Sequence, residues 1–168
     1  MAGRRHTRKA AFGRAAAGAA AFALLWMLAA APPIGAATTE YVVVDRNTGL
    51  AIHGYDPVAY FTDGAPVLGK GEFEHRHAGV VWRFRNSGNL AAFVADPEVY
   101  LPRFGGYDPV GVSRNVPLAG DPRIWLIEEQ RLYLFQTPEN KAIFAVNGEP
   151  VVTAADEAWP AVQKTLVP

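Results

Sequence analysis

Cysteine is absent from all 168 residues, which excludes disulfides and thiolate metal sites. Methionine is nearly absent: Met1 and Met27 are the only two, so the chain beyond residue 27 holds no sulfur. Serine occurs only as Ser87 and Ser113, neither in a Gly-x-Ser-x-Gly setting, and no glycine-rich phosphate loop or dinucleotide fingerprint is present. No nucleophile is paired with a base, and the chain reads as non-enzymatic. Acid is missing from the first 36 residues, which hold Arg4, Arg5, Arg8, Lys9 and Arg14. The net charge of zero therefore leaves an acidic excess of five in the remainder. That sign argues against nucleic acid, whose phosphates need a basic stripe.

What is present at the start is a positive stretch, an apolar run over residues 15–31 and a small-residue segment ending at Ala36 and Ala37. This order is that of an export signal. Residues 1–36 are read as a signal peptide cleaved after Ala36 or Ala37, or as an uncleaved signal anchor, since about 17 apolar residues is the short end for a bilayer span. The positive flank stays inside, so the body is expected in the periplasm or secreted, and at the inner membrane only if the anchor is kept. Residues 37–168 are enough for one domain with one core.

Along that body, residues 41–44 and 50–52 suit two short strands or a hairpin around the turn residues 47–49. Asp56-Pro57 predicts a short helix over 57–61, ended by Asp63-Gly64. Residues 72–77 alternate, Ala78-Gly79 turns the chain, and Val80, Trp82 and Phe84 line a returning strand. Ser87 is expected to cap a helix that Phe93 anchors to the sheet, with a restart at Asp96-Pro97. A second hairpin joins 124–127 to 132–135; its turn lacks glycine, which predicts a loop wider than two residues. Thr137-Pro138-Glu139 predicts a helix to about Ala145, and Thr153 with Asp156 a capping box for a last one, kinked or ended near Trp159-Pro160. The fold class is α+β: two antiparallel β-hairpins with short packed helices.

The pentapeptide GYDPV occurs twice, at residues 54–58 and 106–110, and reads as one cap-and-turn solution used twice. Each copy gathers a tyrosine, a carboxylate and free backbone N–H groups at a helix start. His53, Tyr55, Asp56, Tyr107 and Asp108 are thus the candidates for a small-ligand pocket, with His53 placed to bond the turn that follows it. Asp56 and Asp108 form a carboxylate pair only if the two turns meet; as residues before proline they are explained by capping. His75 and His77 share a strand face and are weak candidates for a Zn(II), Ni(II) or Cu(II) site completed by carboxylates, against a packing role beside Phe73.

Five blocks in this order carry a family resemblance: IHGYDPVAYF at 52–61, the hairpin ending in Trp82 and Phe84, NLAAFVADPEVYLPRFGGYD at 89–108, GDP before Trp125, and LYLF at 132–135. Together they resemble a YHS domain in its exported bacterial form, over residues 50–135. The resemblance implies a small α+β domain and heavy-metal handling through cysteines. The family's first motif resembles DPVCGM, where this chain has Ala59; a second pair falls at Arg85 and Asn89, and a further cysteine where Asp108 stands. A soft Cu(I) site is left without donors. The expected function is an exported, non-catalytic binding or accessory domain that has lost its thiolate ligands. The alternatives are a periplasmic transition-metal protein using histidine and carboxylate, and an envelope protein-interaction module; the expected partner is an envelope protein or small ligand.

Overall fold

A computed structural model describes residues 41–166, so residues 1–36, read from sequence as a signal segment, lie outside the described residues. The fold is α+β with two separate two-stranded antiparallel sheets. Strands β1 (Lys70–His77) and β2 (Val80–Phe84) form the first hairpin, β3 (Asp121–Glu128) and β4 (Arg131–Phe135) the second. The helices are α1 (Ala59–Thr62), α2 (Ser87–Ala95), α3 (Pro97–Tyr100), α4 (Pro109–Val112) and α5 (Pro138–Leu166). None of the described helices is long and apolar enough to cross a membrane.

The two hairpins belong to two copies of one larger unit, which corrects the reading of GYDPV as a local turn used twice. Gly69 donates its N–H to Gly54 O at 2.9 Å, and Gly120 to Gly106 O at 3.0 Å; Asp56 N–H meets Val67 O and Asp108 N–H meets Leu118 O, both at 2.8 Å. The bridges Tyr55 to Leu68 and Leu50 to Val81 recur as Tyr107 to Ala119 and Pro102 to Leu132. Both hairpins carry a register shift at the same place, Lys70 to Glu74 in one and Asp121 to Trp125 in the other. The aromatic centres correspond as well. Phe93 packs on Trp82 and Phe84 at 5.5 and 5.1 Å, and Phe144 on Tyr133 and Phe135 at 4.7 and 5.2 Å between ring centroids.

Each unit has its own core, and β4 joins them. Its Leu132 and Leu134 face the cluster built on Ile52, Trp82, Phe84 and Phe93, while Tyr133 and Phe135 face the one built on Phe104, Val110, Phe144 and Val162. Strand alternation sends successive side chains to opposite faces, so the four consecutive buried apolar residues 132–135 of β4 fit only between two cores. At about 1.5–3 kcal/mol for each large apolar side chain buried, β4 is the most valuable strand of the fold.

Three local expectations are corrected. Asn86, not Ser87, caps α2: its side chain accepts the Asn89 N–H at 2.8 Å, leaving Ser87 as the first helical residue. The β3–β4 loop is only two residues long; Glu129 and Gln130 both take positive φ, 49° and 58°, as Ala78 and Gly79 do in the first hairpin. The twist of the strands requires that turn geometry, and it overrides the preference for glycine. Thr153 starts no helix. It lies within α5 and donates its hydroxyl to Glu149 O at 3.0 Å, the break being at Asn147, where φ is −130° and ψ is 37°.

Candidate functional site

The two repeated carboxylates are the hubs of the fold. Asp56 Oδ1 accepts the N–H groups of Val58 (2.8 Å) and Ala59 (3.3 Å), and Oδ2 those of Arg85 (2.8 Å) and the Asn89 amide (2.7 Å). Asp108 repeats the set with Val110 (2.8 Å), Gly111 (3.4 Å), Gln136 (2.8 Å) and the Asn140 amide (2.7 Å). One oxygen caps the short helix, and the other clamps the hairpin exit to the helix after it. Both residues have zero exposure, and each carboxylate oxygen accepts two N–H donors, so neither buried side chain leaves an acceptor unpaired. The capping expectation holds, and Asn89 and Asn140 are the partners it missed; neither Asp56 nor Asp108 lines a cavity described below.

Two adjoining cavities lie beside the hubs and share His53 and Ala119. The first, about 390 Å³, is lined by His53, Tyr55, Asp121, Arg123 and Gln136 around the backbone of residues 119–120. The second, about 460 Å³, is lined by Asp45, Arg46, Asn47, His53 and Tyr107 among others. Thus His53, Tyr55 and Tyr107 come together, while Asp45, Asp121, Arg123 and Gln136 are site residues that the sequence reading did not include.

His53 adopts φ 56° and ψ 26°, the left-handed region, at the position that Gly105 occupies in the second unit with φ 63°. An L-residue with a side chain rarely stays there without a reason from its surroundings. Its imidazole does not bond the turn that follows, as expected from sequence, but turns back so that Nδ1 lies 3.5 Å from Asp45 Oδ2. Asp45 is fixed in turn by its own loop: Oδ1 accepts the Asn47 and Thr48 N–H groups and the Thr48 hydroxyl. The Thr48 N–H and hydroxyl, then the Asn47 N–H, hold the Asp45 carboxyl below the ordinary carboxylate range, and His53 adds to that.

Opposite His53, Arg123 grips Asp121 with two bonds, Nε to Oδ1 at 3.0 Å and Nη2 to Oδ2 at 2.6 Å. The guanidinium lowers the Asp121 carboxyl, and Asp121 raises Arg123 further above its already high value. Tyr60 supports this wall from behind. Its hydroxyl donates to Pro122 O at 2.8 Å, and burial pushes it well above an ordinary phenol, so it remains a donor. The first cavity therefore presents the Arg123–Asp121 ion pair beside Tyr55, the second presents Asp45 beside Tyr107, and His53 is common to both.

His75 and His77 lie elsewhere. Both rings pack edge-on against Phe93, with centroids 6.4 and 5.6 Å away. Among the described residues no three or more His, Cys, Asp or Glu side chains are grouped to hold a metal ion. Ser113 donates its hydroxyl to Val110 O at 2.9 Å, a local turn bond. Comparison with family models, with curated proteins and with solved structures finds no match to this chain.

Proposed function

We propose that this chain is an exported, non-catalytic binding domain of YHS type that retains the scaffold without the thiolate metal chemistry, and that its ligand is a small zwitterion seated at His53. The positions where the resemblance implies thiolates support the first part. Ala59 has zero exposure and gives its N–H to Asp56; Arg85 and Asn89 donate to the same carboxylate, and Asp108 is the second hub. Ala59 and Arg85 bond through their backbone N–H groups, while Asn89 and Asp108 put hydrogen-bonding side chains where the resemblance implies thiolates.

The observation that carries the ligand reading is the left-handed His53 at the junction of two cavities, where the other unit uses glycine. Strain kept at a cavity wall points to a role for the side chain. Asp45 beside His53 and the Arg123–Asp121 ion pair, in the two cavities that His53 joins, offer partners of both signs to a ligand that carries both. Glycine and a panel of L-amino acids, titrated into the full chain and followed by backbone amide shifts, provide the test. Saturable shifts at His53, Tyr55 and Gln136 that vanish in His53→Gly are expected. Binding that survives His53→Gly, or shifts confined to other surfaces, would contradict the assignment.

A further inference from the structure

Helix α5 is two elements joined end to end. Its proximal half is the repeat's own helix: Asp96 ends α2 with φ −150° and ψ 79°, and Asn147, at the same spacing of 51, breaks α5 with φ −130° and ψ 37°. The distal half, residues 148–166, has no counterpart of its length, since the first unit has only the four residues of α3 there. This arm packs on the second unit. Ala155 and Val162 are buried in the core of Phe104, Val110 and Phe144, and Trp159 packs on Phe104 and Tyr107 with ring centroids 5.7 and 6.1 Å away. Asp156 pairs with Arg103.

Two features meet at the joint between arm and body. Gly148 and Pro150 follow the break, and Pro150 has no N–H to give the Val146 carbonyl, so a helix bond that would brace the joint is missing. Immediately before the break, Val146 is 82% exposed and Ile143, three residues earlier on the same helix face, 38%. Val146 is the most exposed of the large apolar side chains among the described residues. An apolar pair left bare beside a hinge is covered when the hinges of two chains cross there.

We propose that residues 148–166 exchange between two copies of this chain, the arm of each packing on the second unit of the other about a hinge at Asn147 and Gly148. The exchanged dimer reproduces every contact of the arm, so it differs from the monomer only in the hinge, in the new contact between the two Val146–Ile143 pairs and in the cost of association. Leu166 of the partner subunit then walls the second cavity beside His53. Because the chain holds no cysteine, single introduced thiols report the exchange cleanly. Full chains carrying Arg103→Cys and Asp156→Cys are refolded together at millimolar concentration and treated with a short thiol-specific cross-linker. The ion pair they remove is partly exposed and contributes little to the fold. A heterodimer linked between positions 103 and 156, identified by peptide mass, is expected well above the chance level set by Arg103→Cys mixed with Glu72→Cys. Val146→Asp in both chains, at a position too exposed to support the monomer, should weaken dimer formation at least about tenfold. Linkage no greater than the chance level would overturn the proposal, as would linkage that Val146→Asp leaves unchanged.

Discussion

His53 and Gly105 occupy the same backbone conformation for different reasons. At Gly105 an added Cβ would lie 1.8 Å from Tyr41 O, so close approach of the chain demands glycine. At His53 the same backbone opens on a cavity, and a side chain is tolerated at a cost of about 1–2 kcal/mol for the left-handed conformation. The contact with Asp45 is partly solvent-accessible and offsets little of it. His53→Gly should therefore leave stability unchanged or raise it by up to about 1 kcal/mol, the greater unfolded-state freedom of glycine taking back part of the gain. Urea unfolding of the two proteins measures this. A loss of more than about 1 kcal/mol would mean that the imidazole supports the fold and that its conformation carries no functional meaning. The pairing with Asp45 was not legible in sequence, because it depends on an eight-residue turn whose return path only the folded chain fixes.

At the scale of elements, each unit is a glycine turn, a short helix, a bulged hairpin and a capped helix, tied by one carboxylate. Short helices such as α1 and α4 have too few internal bonds to stand alone and depend on that carboxylate for their first turns. Asp56→Ala and Asp108→Ala each strand four donors, so each should cost about 3–5 kcal/mol. Because the donor distances agree within 0.1 Å, the two losses should agree within about 1 kcal/mol, a comparison made by chemical denaturation. One variant tolerated and the other unfolded would break the equivalence. The caps were legible because Asp before Pro has a local cause. Their second halves were not: Asn89 and Asn140 meet the aspartates only after a hairpin has returned the chain. The Glu129-Gln130 turn was misjudged for a similar reason, since strand twist acts across the pair and outweighs the local preference at each residue.

For the whole molecule, the repeat explains both the fold class and the position of the site. The correspondence is hidden in sequence because the loop after α1 has one residue more than the loop after α4. The spacing is 52 at Asp56 and Asp108 but 51 from Val67 and Leu118 onward. Beyond GYDPV the match rests on aromatic character and on asparagine, with Trp82 opposite Tyr133 and Asn89 opposite Asn140. The hairpins and helices were legible because periodicity and turn chemistry are local. The join through β4 was not, since the apolar run 132–135 reveals burial without revealing what lies on each side. The two units then diverge at the first cavity, which His53 lines together with Asp121 and Arg123.

The central claim is the proposal that this framework works through nitrogen and oxygen groups alone, the Asp56 and Asp108 networks standing where the resemblance implies thiolates. Competition of the full chain with a chromophoric chelator for Cu(I) tests it most directly. The account predicts no stoichiometric site tighter than about micromolar, because neither thiolate nor thioether follows residue 27. One equivalent of Cu(I) held at submicromolar affinity would contradict it.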